Sequence, residues 1–173
     1  MAPHRPLLAA ALPALLVACQ SMPTGPQASA DLQPTRGNAT AGRASFTQVG
    51  NQVRVTVEVS GLKPNQAHGF HIHEAGDCSS GDGMSAKGHF NPLGKPHGHH
   101  SSSERHAGDM PNLQADAQGR AQAQFMLDLL TTGEGPTSVL GRGLIVHVQP
   151  DDYSSQPVGN AGARMACGVI RKA

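Results

Sequence analysis

The stretch HFNPLGKPHGHHSSSERHAGD, from His89 to Asp109, holds five of the chain's ten histidines. A neutral imidazole offers one nitrogen lone pair to a metal, so histidines clustered in a loop point first to ion binding. His89, His97, His106 and Asp109 supply three imidazoles and a carboxylate, a donor set suited to a closed tetrahedral Zn²⁺ site. A loop can wrap such an ion because its backbone has no ladder to preserve. Binding then stabilises a segment that lacks an apolar core of its own. His99 and His100 add donors that this set does not need, and they are expected to be exposed. Upstream, His71-Ile72-His73 reads as strand, where residues i and i+2 share a face, so both imidazoles can approach one ion. His68 falls outside that pairing and reads as a structural or surface residue. His147 interrupts the apolar run LIVHV, where a histidine is ordinarily a satisfied core residue unless other ligands lie opposite it.

The elements that must position these side chains are strands. Val53, Val55, Val57 and Val59 alternate with Arg54, Thr56, Glu58 and Ser60, the period of a sheet with one face buried. Gly50-Asn51 marks a hairpin turn back to a strand over Arg43–Val49. Ala67–Glu74 reads as one strand carrying His68, His71 and His73, and further strands are expected over Ala121–Leu129, Leu144–Val148 and Met165–Ile170. Ala75 to about Pro111 has no sustained periodicity, and Gln149–Ala163 is a second irregular segment. Loops of that length inside a domain are ordinarily functional or clamped. Twenty-one glycines, thirteen prolines and few aromatics argue against a helical bundle, and no convincing amphipathic helix or internal repeat is found. Short strands with two long loops imply an all-β sandwich or barrel.

The chain is nearly balanced in charge, with thirteen basic and twelve acidic residues, so it shows no nucleic-acid footprint. Residues 1–18 carry one arginine and then an apolar run from Leu7 to Ala18, too short to span a bilayer and shaped like a secretory signal. Leu16-Val17-Ala18-Cys19 resembles a bacterial lipobox, which makes Cys19 the expected lipidated residue; the plainer alternative is a signal peptide with a cysteine near its cleavage site. Residues 19–36 are expected to form a flexible tether, and 37–173 the folded domain. Three cysteines would leave one odd thiol in an exported protein. With Cys19 lipidated, Cys78 and Cys167 remain and an oxidising compartment would let them pair; the alternative is a pair of buried free thiols.

Five segments decide between these readings. GFHIHEAGDC, HFNPLGKPH, ERHAGD, LIVHVQPDD and GNAGARMACGVI, in this order across Ala41 to Ile170, closely resemble the motifs of the copper/zinc superoxide dismutase family. The resemblance implies a Greek-key β-sandwich, or flattened barrel, of about eight antiparallel strands with two long functional loops. It implies copper on His71, His73, His89 and His147, and zinc on His89, His97, His106 and Asp109, with the His89 ring shared. Asp151 matches the carboxylate that bridges a copper ligand and a zinc ligand, here His71 and His97. Cys78 and Cys167 match the family's intrasubunit disulfide. Arg164 matches the arginine that docks a small anion beside copper, and His89 is implied as the proton carrier. The implied reaction is dismutation of superoxide to O₂ and H₂O₂.

Removing the leader also removes Arg5 and leaves twelve basic and twelve acidic residues, so any steering of an anion must be local. Lys87, two residues before His89, is the candidate for that role beside Arg164. The expected location is the cell envelope or periplasm, with a lipid anchor at Cys19 in the outer membrane as the sole membrane contact. Relatives occur as monomers and as dimers, so a homodimer is among the expected assemblies. The alternative function is a copper- or zinc-storing or -delivering lipoprotein on the same fold.

Overall fold

The structure, a computed structural model, describes Met1 and residues 27–173. The remainder of the leader, the lipobox with Cys19, and the tether up to residue 26 lie outside the described residues. Among the described residues ten strands follow in chain order: β1 (Gln27–Pro34), β2 (Ala41–Val49), β3 (Gln52–Ser60), β4 (Ala67–His68), β5 (Phe70–His73), β6 (Leu113–Gln114), β7 (Ala121–Leu127), β8 (Gly143–His147), β9 (Arg164–Val169) and β10 (Arg171–Lys172). The main sheet runs β5-β8-β9-β1-β2-β3-β7 with β10 alongside β1, and every pairing in it is antiparallel. β4 and β6 form a second, two-stranded sheet.

The expected tether is corrected at its C-terminal end, because residues 27–34 are strand β1 at the centre of the sheet order. Ala28, Ala30 and Leu32 point into the core while Gln27, Ser29 and Asp31 alternate with them. Two of the three buried positions are alanines set among Gln, Ser and Pro, so the period of two carries too little hydropathy to stand out. β1 pairs with β2 along one edge, and with β10 and then β9 along the other.

The four alternating valines of β3 are all buried, and each side chain so removed from water contributes roughly 1.5–3 kcal/mol. They pack with Phe46 and Leu127 in a core that extends to Phe70, Ile72, Leu144 and Val146. Gly50, at φ 59°, makes the two-residue turn between β2 and β3, as expected from Gly50-Asn51.

The single strand expected over Ala67–Glu74 is two strands. Gly69 separates them: its N–H donates to Gln149 O at 2.8 Å and its carbonyl accepts from His147 N at 2.8 Å. A Cβ there would lie 2.7 Å from the Cβ of Ala161. β4 thereby turns to β6 while β5 stays on β8. Between β5 and β6, and between β8 and β9, run the two long loops, interrupted by one 3-10 turn at Met84–Ala86.

Candidate metal centre

Alternation on β5 sends Phe70 and Ile72 into the core and leaves His71 and His73 on the opposite face. β8 lies beside β5, and a bulge between Val146 and His147 delivers the third imidazole at its end. The histidine loop returns along the free edge of β5, with bridges pairing His71 to Asp109 and His73 to His89. Gly108 makes the close approach possible, since a Cβ there would sit 2.3 Å from Ile72 O. The loop is thus held by strand-like hydrogen bonds, Ile72 N to Gly108 O at 3.0 Å and Phe90 N to Ile72 O at 2.8 Å.

Two buried donor sets result, His71, His73, His89 and His147 in one, His89, His97, His106 and Asp109 in the other. Within each set the ligand atoms lie within 4.8 Å of one another. In the first, His73 Nδ1–H donates to Lys87 O at 2.8 Å and His147 Nδ1–H donates to Gly162 O at 3.0 Å. That leaves the two Nε2 atoms facing each other at 3.4 Å. His71 gives its Nε2–H to Asp151, and its Nδ1, like His89 Nε2, is buried without a hydrogen-bond partner. Buried imidazole nitrogens are normally paired, so unpartnered lone pairs converging on one point are what a metal ligand set looks like.

The second set meets at Asp109 Oδ1, which lies 2.8 Å from His89 Nδ1, 3.0 Å from His97 Nδ1 and 3.2 Å from His106 Nδ1. Ligands on a tetrahedral Zn²⁺ with bonds of about 2.0–2.1 Å are spaced by about 3.3 Å, close to these separations. Asp109 Oδ2 accepts from the backbone N–H groups of Gly98 and His106, which fixes the carboxylate.

The electrostatics agree with the geometry. Burial, with His71 nearby, lowers His89 to about 4 and His147 to about 3, and burial holds His73 well below its ordinary value, so these rings are neutral and keep a lone pair. Burial also opposes charge on His97, yet its hydrogen bonds to Asp109 and Asp151 outweigh this and raise it to about 9. Burial works against the Asp109 carboxylate too, but hydrogen bonds from His106, His89 and His97 keep it ionised well below the usual carboxylate range.

Asp151 joins the halves, with His71 Nε2 on Oδ2 at 2.8 Å and His97 Nε2 on Oδ1 at 2.9 Å. Arg164 pairs in register with His147; its Nη1 donates to Gly83 O at 2.6 Å and its Nη2 to Lys87 O at 2.5 Å. One carbonyl, that of Lys87, therefore orients both His73 and the guanidinium. Lys87 adopts φ 62° and ψ −149°, backbone space that glycine favours. Its ammonium lies on the surface, 3.4 Å from Glu74 Oε1. Cys78 and Cys167 are joined in a disulfide, which ties the 78–88 segment to β9. His68 is buried, its Nδ1–H on His147 O at 2.9 Å, a structural part. His99 is exposed as expected, whereas His100 is half-buried against it.

The sequence model of the family described as copper/zinc superoxide dismutase (SODC) matches residues 40–170. The chain belongs to the copper/zinc superoxide dismutase family. Superoxide dismutase [Cu-Zn] 2 of Aquifex aeolicus (strain VF5) is 42% identical over 161 residues, covering 91% of this chain and 94% of that protein. Superoxide dismutase [Cu-Zn] 1 of the same organism is 44% identical over 134 residues, covering 75% and 79%. Among solved structures, that of the clock protein EA4 superposes with a TM-score of 0.79 at 36% identity, covering 88% of this chain and 98% of that one. The copper and zinc of the superoxide dismutase family fit the donor sets described above, nitrogen-only in the first and with one carboxylate in the second.

Around this superoxide dismutase site the structure adds residues that sequence reasoning missed. Asn112 accepts from Asp151 N at 2.8 Å and donates its Nδ2–H to Asp151 O at 3.0 Å. Gln156 grips the His97 backbone in both directions, at 2.9 and 2.8 Å. Gly159 leaves the room Asp151 needs, since a Cβ would meet Asp151 Oδ1 at 1.8 Å. These are loop residues without periodicity, and no spacing in the sequence singles them out.

Proposed function

We infer that this protein dismutates superoxide, converting two superoxide anions and two protons to O₂ and H₂O₂. The observation that carries the inference is His89: its Nε2 faces the nitrogen-only set and its Nδ1 faces the set built on Asp109. When bound, copper would supply the one-electron redox couple, and zinc, which has no redox chemistry, would supply a fixed positive charge. His71, His73, His89 and His147 are the copper ligands in this reading; His89, His97, His106 and Asp109 are the zinc ligands.

The rest of the chemistry belongs to the chain. Arg164 presents a permanent positive charge beside His73 and His147, anchored through Gly83 O and Lys87 O, and docks the small anion there. His89 Nε2 is the atom that can hold a proton on the substrate side and pass it to the product oxygen, while the Nδ1 side keeps the ring from turning. Asp151 fixes the rings of His71 and His97 together, so the two halves share one geometry. Lys87 adds positive potential at the rim, reduced by Glu74 beside it.

Metal analysis and a superoxide-removal assay on the purified protein test this. One copper and one zinc per chain with high activity are expected. Metal without activity would favour storage or delivery, a reading that leaves the doubly anchored Arg164 without a role.

We also propose that the protein is exported to the cell envelope and anchored through a lipid on Cys19. The leader composition and the Leu-Val-Ala-Cys run support this, and a paired Cys78–Cys167 is at home in an oxidising compartment. Mass spectrometry of the mature N-terminus is the test; an unmodified residue there, or an uncleaved leader, contradicts it.

A further inference from the structure

His97 is followed by Gly98, His99 and His100, and these last two rings lie tilted at 38° to each other with centroids 4.1 Å apart. Among the described residues no third histidine, cysteine or carboxylate joins them within ligand distance. Besides the hydrogen bond of His99 Nδ1 with Ser101 Oγ at 2.8 Å, the pair lies against Tyr153, the chain's single tyrosine, in T-shaped contacts with centroids 4.6 Å away for His99 and 6.1 Å for His100.

Tyr153 in turn stands two residues after Asp151. Its backbone N–H donates to Asp151 Oδ1 at 2.7 Å, the same oxygen that receives His97 Nε2–H. Its hydroxyl oxygen accepts from Asn112 N at 2.8 Å, and Asn112 holds the Asp151 backbone at both its N–H and its carbonyl. The tyrosine therefore closes a ring of hydrogen bonds around the bridging carboxylate while its aromatic face rests on the histidine loop. Its backbone is left-handed, with φ 60°, a conformation that a bulky side chain rarely adopts without support from its surroundings. That support is visible here at the hydroxyl, at the N–H and in the ring contacts with His99 and His100.

We propose that Tyr153 is a positioning residue for the zinc half of the centre, and that His99 and His100 are the opposing jaw that keeps it in place. The loop after β8 then holds the histidine loop at three points: Asp151 on the His97 ring, Gln156 on the His97 backbone, and Tyr153 on His99 and His100. The first two grip the zinc ligand directly. The third fixes Asp151 and limits rotation of the segment that follows the ligand. Zinc release requires the histidine loop to leave Asp151, so loss of the third grip accelerates it.

The inference rests on zinc binding by His89, His97, His106 and Asp109, so the zinc content of the wild-type holoprotein is measured first. Wild type without zinc would overturn that reading itself. With zinc present, release into a chromogenic chelator is timed for wild type, Y153F, Y153A and the double variant H99A/H100A. Y153A should release zinc about tenfold faster or more, with Y153F and the double variant between it and wild type. Cobalt placed in the zinc site gives a second reading: its visible bands should shift in Y153A and not in R54A, a variant on the outer face of β3. Release at the wild-type rate in both Y153A and H99A/H100A, with unshifted cobalt bands, overturns the proposal. If Y153A does not fold, a wild-type rate in Y153F and H99A/H100A together overturns it equally.

Discussion

The carboxylate of Asp151 and the imidazole of His97, 54 residues apart in sequence, meet at 2.9 Å with both side chains fully buried. The other oxygen of the same carboxylate holds His71, so one side chain sets the orientation of a ring in each donor set. Replacing Asp151 with Asn keeps the shape but turns an acceptor into an N–H₂ group facing a ring N–H. Zinc affinity should fall about 10–100-fold, measured by competition with a chelator of known strength. Unchanged affinity would show that the bridge is incidental.

The metal-free protein should be most stable near pH 6.5. His97 has a folded value of about 9, above the 6.5 of the unfolded chain, so its contribution is complete below 6.5 and is lost as the pH rises through 9. His89 and His147 have folded values of about 4 and 3, so the unfolded chain binds more protons between these values and 6.5. Acid therefore destabilises, each ring contributing a slope of up to about 1.4 kcal/mol per pH unit. Urea midpoints at about pH 5, 6.5 and 9 check this; a steady rise or fall across the range contradicts it.

Zinc binding should also release a proton. His97 is a cation below about pH 9 in the metal-free protein and must give up one ring proton to become a ligand. Calorimetry in buffers of different ionisation enthalpy near pH 7.5 should show about one proton released per zinc, and none in H97A.

The Cys78–Cys167 bridge spans 89 residues and, by constraining the unfolded chain, contributes about 4.6 kcal/mol in the chain-entropy account. The double variant C78S/C167S should lose most of that in chemical denaturation. Its activity should fall as well, because the segment released carries Gly83 O and Lys87 O, the two anchors of Arg164.

Two cations shape approach of the anion, and they should separate by salt. Arg164→Ala should lower kcat/KM about tenfold or more at all ionic strengths, with metal content unchanged. Lys87→Ala should lower it only about two- to threefold, and only at low ionic strength, since its ammonium is exposed and half-answered by Glu74. An unchanged low-salt rate in the Lys87 variant would remove it from the steering role.

The zinc donors and the His71/His73 pair are legible in residue type and spacing, whereas His147 as a ligand, Asp151, Arg164 and the sharing of His89 follow only from the resemblance to the family. His71 and His73 share a strand face by alternation, and the intervals from His89 to Asp109 belong to one loop with few other donors. β3 was legible for the same reason, its valines alternating without exception. β1 was not, because Ala28 and Ala30 carry a pattern without the hydropathy to announce it. The break at Gly69 has no local sequence signal because it is imposed from outside, by Gln149 and Ala161 pressing on a residue with no side chain. Asn112, Tyr153 and Gln156 act through contacts between two irregular loops, which leave no periodic trace in either segment. In the sequence Lys87 stands out for its charge, whereas in the structure its carbonyl makes the contacts that orient His73 and Arg164.

In this reading the His89 ring is shared between two different metals. Diffraction from the copper- and zinc-loaded protein, recorded on either side of each metal's absorption edge, tests it most directly. Copper is expected at Nε2 of His89 among His71, His73 and His147, and zinc at Nδ1 beside Asp109. Two ions with no ligand in common, or one metal filling both positions when both are supplied in equal measure, would contradict it.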